Sequence, residues 1–176
     1  QNYVRFPRCR QRGLPAAGPA AHDPERPLGD AALAFADRKF WNVQPGGVIA
    51  DMSTIDPVVT DRLAAAAAAR GCAFVDAPVG RLAIHAERGE SLFMVGASDE
   101  AFARVKPLLE AMGTTIHHCG GVGTGMRTKL VNNFLAIVSC QLNAEAIALS
   151  QRFGLNLEKT LDVIAGTTAT TGPLQL

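Results

Sequence analysis

Four cysteines occur in 176 residues, and Cys9, Cys72, Cys119 and Cys140 show neither a C-x-x-C pair nor any other metal-ligand spacing. Three of them lie in apolar segments, where a free thiol behaves as a small hydrophobe. No metal is expected, and a reduced, cytoplasmic setting fits this usage. An excess of either charge is also lacking: the formal net charge is +1 and charged residues make up 19% of the chain. That gives no electrostatic footprint for nucleic acid or an anionic membrane, and leaves small molecules or copies of the same chain as partners. No apolar run approaches the length that spans a bilayer. An initiator Met is missing as well, the chain opening on Gln1, so the start is not expected to be the natural one.

What is present changes character along the chain. Residues 1–43 are rich in Arg, Pro and Ala and carry no sustained period except around Asp30 to Phe40, so they read as poorly structured. Pro7, Pro15 and Pro19 interrupt any amphipathic transit helix there. That composition is also what a GC-rich gene yields out of frame, and the expectation is a frameshifted or misassembled segment joined to a genuine one near Gln44.

Residues 44–120 alternate strand and helix signals. Gly47–Met52 reads as a short strand, and Pro57 opens a helix through the alanine run to Arg70, closed by Gly71. Cys72–Val79 and Ser91–Val95 are apolar and short, as buried strands are. Ser98, Asp99 and Glu100 begin a helix to Met112, and Thr114–Cys119 is a last strand. This order argues an α/β sheet with helices packed on it.

Residues 121–176 start with a glycine-rich turn, Gly120-Gly-Val-Gly-Thr-Gly125, that breaks into a long apolar helix ending near Gly154; Leu157–Ala165 is a second helix, stopped by Gly166. Met126, Leu130, Phe134, Ile137, Leu142, Ile147 and Leu149 follow helical spacing, and Val131, Leu135 and Val138 add a second stripe. The two stripes predict a helix buried on both sides. Lys129 and Asn133 share one face of it, flanked by Asn132, Ser139 and Asn143. The bland reading of Lys129 is a solvated lysine whose stem lies over apolar neighbours. Against that, an early-helix lysine opposes the helix dipole and loses solvation in an apolar setting unless a ligand compensates.

The stretch Gly121-x-Gly123-x-Gly125-x-x-x-Lys129-x-x-x-Asn133 resembles the catalytic motif of the β-hydroxyacid dehydrogenases, the family of 3-hydroxyisobutyrate dehydrogenase and tartronate semialdehyde reductase. Two further motifs stand in the family's order: Asp51-Met-Ser53-Thr54-Ile-Asp-Pro57 resembles its cofactor-facing strand end, and Asp76-Ala-Pro78-Val79, with Ala86 and Gly89, its substrate segment. The resemblance covers roughly residues 44 to 173. It implies the second half of a Rossmann-like dinucleotide-binding domain, then a long interdomain helix and the start of an all-helical domain. NAD or NADP would be the cofactor, with Thr54 and Ser53 toward the nicotinamide ribose; Ser53 and Asp56 are equally candidates for the cap of the helix at Pro57.

By the same resemblance Lys129 is the general acid during reduction, Asn133 orients it or the substrate, Asn132 reaches the substrate, and Gly121 and Gly123 admit it to the backbone. His85, His117 and His118 are assigned to loop or strand surface. Where the family shows Pro-Val-Ser-Gly-Gly, this chain has Pro78-Val79-Gly80-Arg81-Leu82. Gly80-Arg81 looks like the branch that reduces 3-sulfolactaldehyde to 2,3-dihydroxypropane-1-sulfonate, with the arginine fork on the sulfonate, although Leu82 offers no hydroxyl. The alternative for Arg81 is a surface pair with Glu87 or Glu90. The implied substrate is a small acidic aldehyde or hydroxy acid, with 3-hydroxyisobutyrate or tartronate semialdehyde chemistry as the other option, and a homo-oligomer as the assembled enzyme. The family's G-x-G-x-x-G turn and most of its helical domain are not found. The chain as given is therefore expected to be an inactive fragment that binds NADH weakly and exposes Phe134, Ile137 or Leu142.

Overall fold

A computed structural model describes residues 3–5, as backbone, and residues 43–174. The segment expected to be poorly structured, residues 1–43, otherwise lies outside the described residues up to Val43. The chain divides into two compact units between Lys129 and Leu130.

The first unit is a mixed six-stranded sheet. Strands β1 (Tyr3–Arg5), β2 (Val48–Asp51) and β3 (Ala73–Asp76) run parallel, and β3 is followed by the short β4 (Val79–Gly80). β5 (Ser91–Gly96) lies antiparallel to both β3 and β4, and β6 (Gly113–Gly120) runs parallel to β5. The antiparallel return has a simple cause. Only ten residues, 81–90, separate β4 from β5, whereas a parallel crossover needs about a dozen or more. They form a tight connection with one short helix, α2 (Ala83–Glu87).

Alternation along the strands sorts the core onto two faces. Val48, Ala50, Val75, Phe93 and Val95 pack with Ala101, Val105 and Leu109 of α3 (Asp99–Glu110). Ile49 and Phe74 point the other way and meet Val59, Leu63 and Ala67 of α1 (Pro57–Ala68). The local signals explain both helices. Asp56, rather than Ser53, caps α1 by accepting from the Val58 N–H, with Pro57 in the first turn. Gly71 then leaves the helix region at φ 67°. Ser98 caps α3 by accepting from the Ala101 N–H.

The second unit contains the rest of α4 (Thr124–Arg152), α5 (Leu157–Ala165) and a 3-10 turn, Gly172–Leu174. Asn156 caps α5 by accepting from the Lys159 N–H. Asn143 and Thr171 bond each other reciprocally at 2.8 and 3.1 Å. Burial of the long helix on both sides does not hold, and the exposure expected of Phe134, Ile137 or Leu142 in the chain as given does: Val131, Phe134, Leu135, Ile137 and Leu142 are each 60–68% exposed. A helix with two apolar stripes needs a layer on each side. Among the described residues no such pair of layers covers it. None of the described helices is long and apolar enough to cross a membrane.

Candidate active site

Ser53 and Thr54, Arg81 and Gly121 each follow the end of a strand. β2 and β3 end in register, Asp51 beside Asp76. The Asp51 carboxylate accepts from the Ser53 N–H at 3.0 Å and turns the chain, leaving Ser53 partly buried and Thr54 exposed just past the strand. In an α/β sheet this carboxyl edge is where ligands lie. Two neutral hydroxyls there suit a ribose or an amide, so the residues present fit the nicotinamide half of a dinucleotide.

Asp76 joins this edge to the long helix. Its side chain is fully buried. Oδ1 accepts from the Gly123 N–H at 2.6 Å and Oδ2 from the Met126 N–H at 2.7 Å. These are two of the donors that the first turn of any helix leaves free. Burial pushes the Asp76 carboxyl above its ordinary value, the two N–H groups pull it back, and the neighbouring Asp51 adds to the rise. The turn needs its glycines, since Gly120 and Gly123 stand at φ 124° and 87°. On the solvent side Arg127 grips Asp61 of α1 at 2.7 and 3.0 Å and the Gly123 carbonyl at 3.1 Å. The Arg127 guanidinium holds the Asp61 carboxyl below its ordinary range. Because the pair is half exposed, its contribution to stability is small.

Lys129 follows in the second turn of α4 and is partly buried. Loss of solvation lowers its ammonium pKa from the ordinary lysine value. One turn along the same helix Asn133 is partly buried and Asn132 exposed. Gly121 is open, with nothing near the position a Cβ would take.

Arg81 goes elsewhere. Gly80 is buried in β4 against Leu92 and Met94, and Arg81 leaves the strand at φ 67°, a conformation that disfavours a side chain by roughly 1–2 kcal/mol. Its guanidinium donates to the Glu90 carbonyl at 2.8 Å and to Thr115 Oγ1 at 3.2 Å. Both anchors lie near the start of β5, while the α4 turn is held at its end. The two are separated by about one strand length, roughly 17 Å. Leu82 is 56% exposed and opens α2, its N–H donating to His85 Nδ1.

His117 is exposed, as a strand-surface residue is. His118 is more constrained than that reading implied. Its ring stacks on Phe102 at 4.3 Å and its Nε2 lies 2.9 Å from the Ala97 carbonyl. Among the described residues no group of three His, Cys, Asp or Glu side chains could hold a metal ion. The residues that motif spacing left without a role are Asp76, Asp61 and Arg127. A carboxylate closing an otherwise apolar buried strand was the visible signal for Asp76, since such a charge must find donors.

Comparison with known proteins agrees with this fold. Residues 30–121 match the family described as the NAD binding domain of 6-phosphogluconate dehydrogenase, and residues 123–175 match the NAD-binding family of NADP-dependent 3-hydroxyisobutyrate dehydrogenase. The first match begins upstream of the change in composition at Gln44. Among curated proteins the chain is 39% identical over 125 residues to 3-sulfolactaldehyde reductase of Escherichia coli, covering 71% of this chain and 42% of that protein. It is 41% identical over 138 residues to mitochondrial 3-hydroxyisobutyrate dehydrogenase of Bos taurus, covering 77% and 41%. The chain thus spans about two-fifths of the length of these relatives. Among solved structures, a 3-hydroxyisobutyrate dehydrogenase of Mycobacterium tuberculosis with L-serine superposes at a TM-score of 0.77 and 31% identity, covering 83% of this chain and 50% of that one.

Proposed function

The chain belongs to the 3-hydroxyisobutyrate dehydrogenase-like family of β-hydroxyacid dehydrogenases, and on that premise we propose that its whole protein is an NAD(P)-dependent oxidoreductase interconverting a small acidic aldehyde and the corresponding hydroxy acid. The observation that carries the reading is Lys129: a partly buried amine, lowered by desolvation, on a helix whose first turn is tied to the carboxyl edge of the sheet. NAD(P), when bound, supplies or accepts the hydride. In the reductive direction the Lys129 ammonium gives a proton to the carbonyl oxygen, and in the oxidative direction the neutral amine takes it back. Desolvation assists both, because it makes the ammonium a better acid and lets the amine exist nearer neutral pH. Asn133, one turn on, orients the lysine or the substrate oxygen, Asn132 reaches the substrate, and Gly121 and Gly123 let it approach the backbone. Ser53 and Thr54 face the nicotinamide ribose.

For the acid group, Gly80-Arg81 and the likeness to the E. coli sulfolactaldehyde reductase support 3-sulfolactaldehyde. The engagement of the Arg81 guanidinium by Glu90 and Thr115 favours a carboxylate such as 3-hydroxyisobutyrate or tartronate semialdehyde. Titrating NADH and NADPH fluorescence, then assaying a matched panel of sulfonate and carboxylate substrates with the whole protein, tests the activity. Arg81→Lys separates the two acids. If Arg81 grips the sulfonate, the variant raises KM for that substrate with a smaller change in kcat, because lysine keeps the charge but loses the fork. Equal kinetics on every substrate would remove Arg81 from the site, and no turnover of any acidic aldehyde would remove the activity. A homo-oligomer in the whole protein rests on the family resemblance. A monomeric mass by light scattering after sizing chromatography would refute that part.

A further inference from the structure

Most helix caps are local: a Ser, Thr, Asp or Asn at the N-terminus bonds a donor two or three residues on. The first turn of α4 is capped instead from 47 and 50 residues away in sequence, by a buried strand residue whose two carboxylate oxygens each take one helix N–H. This fixes the helix to the sheet as well as closing its end. The surrounding backbone is fitted to that arrangement. A Cβ at Gly96, the β5 residue paired with Asp76, would collide with both oxygens of the Asp76 carboxylate and come within 2.7 Å of the Gly125 nitrogen. A Cβ at Gly125 would lie 2.7 Å from the Asp76 carbonyl and from the Gly96 nitrogen. Two glycines therefore let helix and strand meet with nothing between them, and the carboxylate bridges the gap. The other clamp on the turn, Arg127 with Asp61, is open to solvent and correspondingly weak.

We propose that Asp76 is a positioning residue: by bonding the Gly123 and Met126 N–H groups from the sheet, its carboxylate sets the rise and rotation of the first turns of α4 and so the place of the Lys129 amine. The inference rests on the reading of Lys129 as the proton-transferring group. Lys129 lies three residues beyond Met126, less than one helical turn, so a shift of the capped turn is passed to it almost undiminished.

A merely structural role makes a different forecast. Burial raises the Asp76 carboxyl. A carboxyl raised on folding holds its proton more tightly in the folded state, so its favourable contribution is complete below the ordinary carboxylate pKa. That contribution is lost as pH climbs through the raised value. Losing bonds to two buried N–H groups lowers stability whichever role Asp76 has, but a structural role alone gives no reason for Lys129 to respond.

The test uses the full chain, isotope-labelled, with Asp76→Asn and Asp76→Ala. Asparagine keeps the shape but turns an NH2 toward one of the two N–H donors, so one bond is lost. In both variants amide hydrogen exchange at Gly123, Met126 and Lys129 should quicken at least tenfold while the β2 amides Val48–Asp51 keep their protection. The Lys129 13Cε titration, depressed in the wild type, should move back toward the ordinary lysine range. Should Asp76→Ala not fold, Asp76→Asn carries the test alone. An unchanged Lys129 titration, or exchange that quickens equally throughout the sheet, overturns the proposal. The two readings fail separately: a Lys129→Ala enzyme that still turns over would remove the proton donor without touching these spectra.

Discussion

Lys129→Ala in the whole protein should reduce kcat by about 10²–10⁴, the usual scale for removing a positioned proton donor, while cofactor affinity and thermal stability change little. The reason for the separation lies in placement. Lys129 makes no hydrogen bond or ion pair that holds the first turn of α4, a task done by Asp76 and Arg127. Truncating Lys129 also relieves a desolvation penalty, because burial already disfavours its charged form. The pH dependence has a definite sign. Oxidation of the hydroxy acid requires the neutral amine, so its rate should rise with pH and level off below the range of an exposed lysine. Reduction requires the ammonium and should fall over the same interval. Stopped-flow measurement of both directions checks this, and a Lys129→Ala enzyme with near-normal kcat would return Lys129 to the surface.

The second large effect is on folding. Gly125→Ala should destabilise the first unit by about 3 kcal/mol, the upper part of the roughly 1–3 kcal/mol range for overpacking. The added methyl would press on the Met94 carbonyl, the Asp76 carbonyl and the Gly96 nitrogen, and backbone cannot step aside as a side chain can. At roughly 2–4 °C per kcal/mol for a chain of this size, the midpoint of thermal unfolding should fall by about 6–12 °C. Gly121→Ala is the control: its Cβ would meet nothing within 4 Å and its backbone is not left-handed. Its stability should be near wild type, so any loss of activity there would point to substrate approach. Circular dichroism melts of the two variants decide the matter, and equal midpoints would mean that helix and strand are not in the contact described.

How much of this was readable beforehand follows from the range of each interaction. Asp56-Pro57, Ser98 and Asn156 bond donors two or three residues away, so α1, α3 and α5 were visible as starts in the sequence, and Gly71 and Gly166 as stops. The strands around Ile49, Phe74 and Phe93 announced themselves by apolar runs. The one strand expected over Cys72–Val79 is two, Ala73–Asp76 and Val79–Gly80, and neither that break nor the antiparallel return could be read, since register between Val79 and Phe93 is set by pairing across the sheet. The two stripes of α4 predict burial, because a periodic pattern states what a helix can bury; the exposure of Phe134, Ile137 and Leu142 was expected from what is not present to bury them. In the site, spacing puts Lys129 and Asn133 on one helix face, and the family resemblance supplies their roles. The part played by Asp76 was not legible, because its donors lie far along the chain, and neither was the turning of Arg81 toward Glu90 and Thr115.

One property of α4 has a mechanical side. Its 29 residues make a rod roughly 44 Å long at 1.5 Å per residue, held at its first turn by the Asp76 carboxylate and by Arg127. Lys129 lies three residues beyond Met126, roughly 4.5 Å of that rise. Chemistry mounted that close to the clamp takes its position from the clamp and not from the length of the shaft.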